Sequence, residues 1–310
     1  MSFTTNIKEE LTRFDNTKSE SIAELSGFLR NNVDFSDGNI NLATENATVA
    51  KRIYSLVKDI YDVSSEIETR KGSNFAKNNL YMISIDERAD FILKDLSVID
   101  ENNKFLNIPS EYIIGSEEEL RAYLRGAFLA CGSINDPKTS RYHFELYIDE
   151  KSEANFLNNI LNDFELNSKV ISRDKGYMVY IKEAEKIGDF LRIISASRAI
   201  MYYEDIRIYR DHKNMANRLN NCEQANTDKI LETASNQVAD IEYLKDFIGL
   251  ELLDDKTKEA AEYRLKYPEA SLLELSEIIS YETGRAITKS GLNHRFRKIR
   301  AMVKKIKDNS

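Results

Sequence analysis

Ile22–Asn32 reads IAELSGFLRNN, and Arg121–Gly132 reads RAYLRGAFLACG, with Leu25 and Leu124 in equivalent places and a glycine, Gly27 or Gly126, inside each apolar helix pattern. The residues after the two stretches are also alike. After the first come Val33–Ser36, a turn at Asp37-Gly38 and the alternating Asn39–Leu42, the pattern of a hairpin. After the second come Gly132–Asn135, a turn near Pro137 and Tyr142–Tyr147. A helix comes next in each half (47–61 and 151–164), then a second strand pair (64–71 with 80–85, and 168–174 with 177–181), then a closing helix (87–96 and 183–194). The order is αββαββα twice, an internal repeat covering about 20–100 and 119–200. Glycine inside a helix costs roughly 1 kcal/mol against alanine. Close approach of two backbones is the usual reason for one, so Gly27 and Gly126 mark the expected seam between the repeats; two unrelated core helices with incidental glycines are the alternative.

Composition bounds the rest. A chain of 310 residues with 42% apolar content is long enough for two domains with cores of their own. Cys131 and Cys222 form no disulfide framework and fit a reducing cytoplasm. The start, MSFTTNIKEELTRF, has acids where a signal peptide needs an apolar run, and no stretch reaches membrane-spanning length. A cytoplasmic, nucleoid-associated protein without membrane contact is expected. Three prolines and no Ser/Gly-rich tract predict a helical joint between domains.

Charge is divided unevenly. Gly284–Ser310 holds nine Lys/Arg and one acid, Asp308, against −8 for the whole chain, so residues 1–283 sum to −16. A polyanion is repelled by most of the protein and attracted by its end, the footprint of a nucleic-acid-binding module. From Leu253 the pattern is purely helical. Asp254–Tyr267 reads as a helix stopped by Pro268. Ser271 and Glu274 form a capping box opening Leu272–Ile279. SYETGRAIT (Ser280–Thr288) reads as a break longer than the usual helix-turn-helix turn. In the last helix, Lys289–Lys307, an apolar stripe of Leu292, Phe296, Ile299, Val303 and Ile306 predicts a docked face. Around it lie the candidate DNA contacts. Ser290, Asn293, His294 and Arg297 are placed to meet base edges, Lys289, Lys298, Arg300 and Lys304 to meet phosphates, and Arg295 is a further DNA-binding candidate.

The duplicated unit with its L-x-G helices resembles the LAGLIDADG homing endonucleases, in which an acid one before the final glycine of each motif holds a divalent metal. Laid on this chain, the acid positions fall on Asn32 and Cys131. Neither offers a carboxylate, which a hard cation prefers, so the resemblance implies a degenerate domain with no catalytic residues. Asp34 and Asp136 could substitute only through a register shift. A degenerate LAGLIDADG-like domain followed by ITKSGLNHRFRKI (Ile287–Ile299), with NRLNNCEQAN (Asn217–Asn226) and YPEASLLEL (Tyr267–Leu275), resembles the WhiA family of bacterial sporulation and cell-division regulators. That resemblance covers nearly the whole chain.

The fold class expected is therefore α+β, with a duplicated αββαββα domain over 1–220, a helical connector over 221–252 and an all-α helix-turn-helix domain over 253–310. The function implied is a sequence-specific DNA-binding transcriptional regulator acting in sporulation, cell division or chromosome segregation. Its partners would be double-stranded DNA through the C-terminal domain and a regulatory protein through the acidic N-terminal one. No P-loop or G-x-G-x-x-G pattern implies a cofactor, and His143, His212 and His294 are too scattered for a zinc site. Two alternatives stay open: a metal-dependent endonuclease, and a partner-binding or sensor protein whose basic helix never meets DNA. A basic sheet face built from Lys51, Arg52, Arg70, Lys71, Arg173 and Lys175 would keep DNA contact in the first domain.

Overall fold

A helix to which sequence patterning assigns no role, α1 (Phe3–Leu11), precedes the first repeat. The repeat continues as α2 (Lys18–Arg30), β1 (Asp34–Ser36), β2 (Asn39–Thr44), α3 (Ala47–Tyr61), β3 (Glu66–Arg70), β4 (Leu80–Ile85) and α4 (Ala89–Asp95). A segment holding the one-turn α5 (Glu111–Ile114) leads to the second copy: α6 (Glu117–Cys131), β5 (Gly132–Ile134), β6 (Phe144–Ile148), α7 (Lys151–Asp163), β7 (Lys169–Arg173), β8 (Gly176–Ile181) and α8 (Ala184–Ile193). The computed structural model describes residues 2–36, 38–71, 79–139 and 141–308, so Asp37 of the expected first turn lies outside the described residues. Both sheets are antiparallel and ordered alike, β1-β2-β4-β3 and β5-β6-β8-β7. Period-2 alternation sends Ile40, Leu42, Ile83 and Ile85 of one sheet, and Leu146, Val179 and Ile181 of the other, into a single core.

The two signature helices begin with the same device, a capping box of Thr17 with Glu20 and of Ser116 with Glu119. They then cross at the glycines. A methyl group on Gly27 would strike the carbonyl oxygen of Tyr123, and one on Gly126 that of Glu24. Backbone meets backbone here, which is why each site takes the residue with no Cβ.

Charged side chains complete this seam. Glu24 of α2 is fully buried and accepts from Arg125 Nε of α6 at 3.0 Å, from Arg52 Nε of α3 at 2.9 Å and from Asn16 Nδ2 at 2.6 Å. Arg30 donates to Glu153 of α7 at 2.8 Å and to the carbonyl oxygen of Ser97 at 2.8 Å, and the Tyr123 hydroxyl donates to Glu153 at 2.6 Å. Each half thus sends an arginine to a glutamate of the other. A buried ion pair is tolerable only with its remaining donors and acceptors occupied, and here they are.

Contacts divide the chain into two compact units, Met1–Arg210 and Asp211–Ser310. The division falls inside one long helix, α9 (Ser197–Phe247). Sequence patterning sets the joint near 220 and reads 221–252 as a connector; the structure instead puts Ile241 and Leu244 of α9 in the core of the second unit. They continue a buried face begun by Ala234 and Gln237, whose small and polar side chains hide the period in the sequence. After a 3-10 turn at Leu250–Leu252 come α10 (Asp255–Lys266), α11 (Leu272–Thr283) and α12 (Lys289–Asp308).

The break expected over Ser280–Thr288 is shorter than the sequence suggests. Ser280 and Thr283 bond back to the carbonyls of Ser276 and Ile279 at 2.7 and 2.6 Å and remain helical. Gly284, at φ +68°, ends α11 in the left-handed conformation that glycine adopts without strain. The Thr288 hydroxyl then caps α12 by accepting from Gly291 N at 3.1 Å.

Candidate nucleic-acid interface

Leu292, Phe296, Ile299 and Val303 of α12 are buried in the second core together with Leu275 and Ile279 of α11 and Ala260 and Ala261 of α10. Arg264 joins the three helices. It is 1% exposed, lies over the Phe296 ring at 5.4 Å and donates to the carbonyl oxygen of Ala270 in the turn after Pro268. The hydrophobic stripe read from the sequence is therefore the docked face, and it fixes which side of α12 meets water.

That outer side carries Ser290, Asn293, Arg297, Arg300 and Lys304, all exposed and spaced at alternating steps of three and four. At about 100° per residue such steps form one lengthwise ridge. Lys289 and His294 flank it and are also exposed. None of these seven side chains has an ion-pair or hydrogen-bond partner among the described residues. A row of amide, hydroxyl and guanidinium groups on an exposed ridge about 21 Å long can donate to base edges and to phosphate oxygens.

Two of the expected contacts are turned elsewhere. Arg295 is directed toward α10, donating to the carbonyl oxygen of Lys256 at 3.0 Å and lying 3.6 Å from Glu259. Lys298 pairs with Asp254, the N-cap of α10. The Lys298 ammonium, with Thr257 and its backbone N–H, holds the Asp254 carboxyl down at about 2. Glu259 also takes Arg285, just past α11, at 2.7 Å. These acids lie 26 to 44 positions before the bases they meet, so spacing within α12 gives no sign of them.

The former acid positions do not fit a metal. The Asn32 side chain is engaged with the backbone of Ala43, donating to its oxygen at 3.1 Å and accepting from its nitrogen at 3.0 Å. Cys131 donates to the Ala127 oxygen at 3.3 Å, and burial pushes its thiol up to about 12, so the uncharged form persists at neutral pH. Lys8 of α1 is close enough to couple with Cys131 and lies 5.8 Å over the Phe128 ring, its amine lowered by burial. A cationic side chain thus stands where a cation would need carboxylates. Asp136 accepts from the Lys138 N–H at 2.9 Å and from Tyr202, and among the described residues no three His, Cys, Asp or Glu side chains converge in a metal-holding group.

Among the described residues, acids accompany the bases expected on the sheet face. Arg52, on α3, is spent on Glu24; Arg70 of β3 lies 3.8 Å from Glu68 on a strand that also carries Glu66; and Lys169 and Arg173 of β7 belong to the sheet that holds Glu145. Lys51, Lys71 and Lys175 are exposed. His143 lies beside Glu145 at 3.0 Å and stacks on Tyr180, a structural placement. Cys222 and His212 are exposed on α9, and no described helix is long and apolar enough to cross a membrane.

Comparison with known proteins agrees with both units. The WhiA N-terminal LAGLIDADG-like domain matches residues 18–99, the WhiA LAGLIDADG-like domain residues 120–213, and the WhiA C-terminal HTH domain residues 216–303. A relative from Enterococcus faecalis, named "Probable cell division protein WhiA", is 42% identical over 314 positions covering 100% of both chains. One of the same name from Bacillus cytotoxicus is 43% identical over 311 positions, covering 99% of this chain and 98% of its own. Among solved structures, full-length DUF199/WhiA from Thermatoga maritima superimposes with a TM-score of 0.59 at 24% identity, covering 98% and 99% of the two chains, which is a likeness of fold. With full-length relatives above 40% identity and three successive domain matches in the observed order, this chain belongs to the WhiA family.

Proposed function

We propose that the protein is a sequence-specific DNA-binding regulator that reads duplex DNA through α12, acts on transcription in cell division and, where the organism sporulates, in sporulation, and has no nuclease activity. The observation that carries this reading is the unpaired ridge Ser290, Asn293, Arg297, Arg300 and Lys304, held outward by a docked apolar stripe in a helix-turn-helix domain. Ser290, Asn293, His294 and Arg297 reach base edges near the start of the helix, and Lys289, Arg300 and Lys304 meet phosphates. Arg295 and Lys298 contribute less directly, since α10 already engages them. The acidic first unit serves as scaffold or as the docking surface for a regulatory protein, and the protein works at the nucleoid. The names of the relatives support the link to cell division.

Footprinting the full-length protein on genomic fragments tests the reading. A protected site whose affinity falls when Arg297 is replaced by alanine is expected. Equal binding of wild type and variant to every duplex would remove α12 from the interface. Incubation of plasmid with the protein and Mg²⁺ or Mn²⁺ should leave the DNA intact; cleavage that is lost on changing Asn32 or Cys131 would restore the endonuclease alternative.

A further inference from the structure

Residues 211–233 of α9 are exposed on every side of the helix. They are not polar on every side. At about 100° per residue, Met215, Leu219 and Cys222 lie within about 60° of one another, flanked by Ala216, Ala225 and Ile230 in an arc that Asp211, Arg218, Glu223, Asn226 and Lys229 share, while Leu231 falls on the opposite, largely polar side. Met215 is 63% and Leu219 56% exposed. A narrow strip of exposed apolar side chains such as Met215 and Leu219 suits an interface.

The spacing says which kind of interface. Ile208, His212, Met215, Leu219, Cys222 and Asn226 alternate steps of four and three, the seam of a two-stranded coiled coil. In a parallel pair the residue before one seam position faces the residue five later on the other strand. Arg218 and Glu223 stand in that relation, so two copies of this helix form the Arg218–Glu223 pair twice; Ala225 and Ile230 stand in it next and are both apolar. Self-complementarity of this kind is what a second copy requires. Asn226 lies in the seam, where one asparagine sets register and strand number. Nucleic acid is disfavoured on this stretch: Asp211, Glu223, Asp228 and Glu232 outnumber Lys213, Arg218 and Lys229, and phosphate binding needs the opposite balance.

We infer that α9 pairs in parallel with α9 of a second copy of this chain through the seam from Ile208 to Asn226. The pairing puts two copies of α12 beyond the same end of the coil, so the DNA target of such a dimer is a two-part site. The inference does not depend on DNA binding and is tested without DNA.

Light scattering on the full-length protein over a concentration series should show the mass rise from one chain to two. A short bismaleimide should link Cys222 to Cys222, since the Cys131 thiol is held uncharged by burial, and the Cys222→Ser variant should not link. Leu219→Glu should remain a folded monomer by circular dichroism and lose the link, because Leu219 is exposed in the single chain. Arg218→Glu should weaken the dimer, and Arg218→Glu combined with Glu223→Arg should restore it. A one-chain mass at every concentration overturns the inference. So does a dimer that survives Leu219→Glu, or one in which Cys222 fails to link.

Discussion

Arginine does opposite work at the two ends of this chain. At the seam of the first unit, Arg30 and Arg125 are buried and spend their donors on Glu153, Glu24 and backbone carbonyls. On α12, Arg297 and Arg300 are exposed and spend theirs on nothing within the described residues. The difference lies in the partners the fold supplies, since the side chain is the same. A guanidinium whose fork is filled by its own protein stabilises; one left open is available to a ligand.

The sharpest way to break the comparison is to remove a buried partner. Arg30→Ala strands Glu153 and should cost about 3–5 kcal/mol in chemical denaturation, whereas Arg297→Ala should stay within about 0.5 kcal/mol of wild type. Replacing Arg30 and Glu153 together by Met and Leu should recover most of the loss. Comparable denaturation midpoints for Arg30→Ala and Arg297→Ala would erase the distinction.

Next is the glycine contact on which those pairs depend. Gly27→Leu and Gly126→Leu each drive a side chain into a carbonyl oxygen and should each destabilise by about 3 kcal/mol, the upper end of ordinary overpacking. An unchanged melting profile for both would mean the seam can open at no cost.

On α12 the effects move from stability to binding. Arg297→Ala should lose about 1–3 kcal/mol on a footprinted site and less on random duplex. Arg300→Ala should weaken both alike and lower the salt slope by about one unit. Lys298→Ala should lower it by less, because Asp254 already neutralises that ammonium, and Asp254→Asn should raise it. Equal slopes for Arg300→Ala and Lys298→Ala would show that DNA outcompetes Asp254.

The smallest effect is a titration. The Asp254 carboxyl is held at about 2 against an ordinary 3.8, so the folded state is favoured above the unfolded value. That contribution is lost as pH falls from 3.8 through about 2. In Lys298→Ala, carboxyl NMR should find the midpoint moved up toward the ordinary value. An unmoved midpoint would put the cause in the Thr257 cap instead.

Much of the fold is legible in the residues. The doubled αββαββα order, the glycine seam and the apolar stripe of α12 are local periodicities, and burial tracks period once an element packs at all. The missing carboxylates at Asn32 and Cys131 are legible too, because a metal site depends on residue type before geometry. Helix α1 lies outside the repeat, yet Phe3, Ile7 and Leu11 recur at steps of four in an otherwise polar run, the mark of an amphipathic helix.

By itself, then, the sequence determined the repeat, the charge division between the last helix and everything before it, and the face on which α12 docks, since each is set by residue type and spacing along the chain. Tertiary structure alone decided which charges are spent. Glu24 finds Arg125, Glu153 finds Arg30, and Asp254 and Glu259 draw Lys298 and Arg295 out of the set of basic groups open to DNA. The physical reason is range: helix and strand signals act over a few residues, while an ion pair is made by whichever opposite charge the fold brings within 4 Å, however far away it lies in the chain.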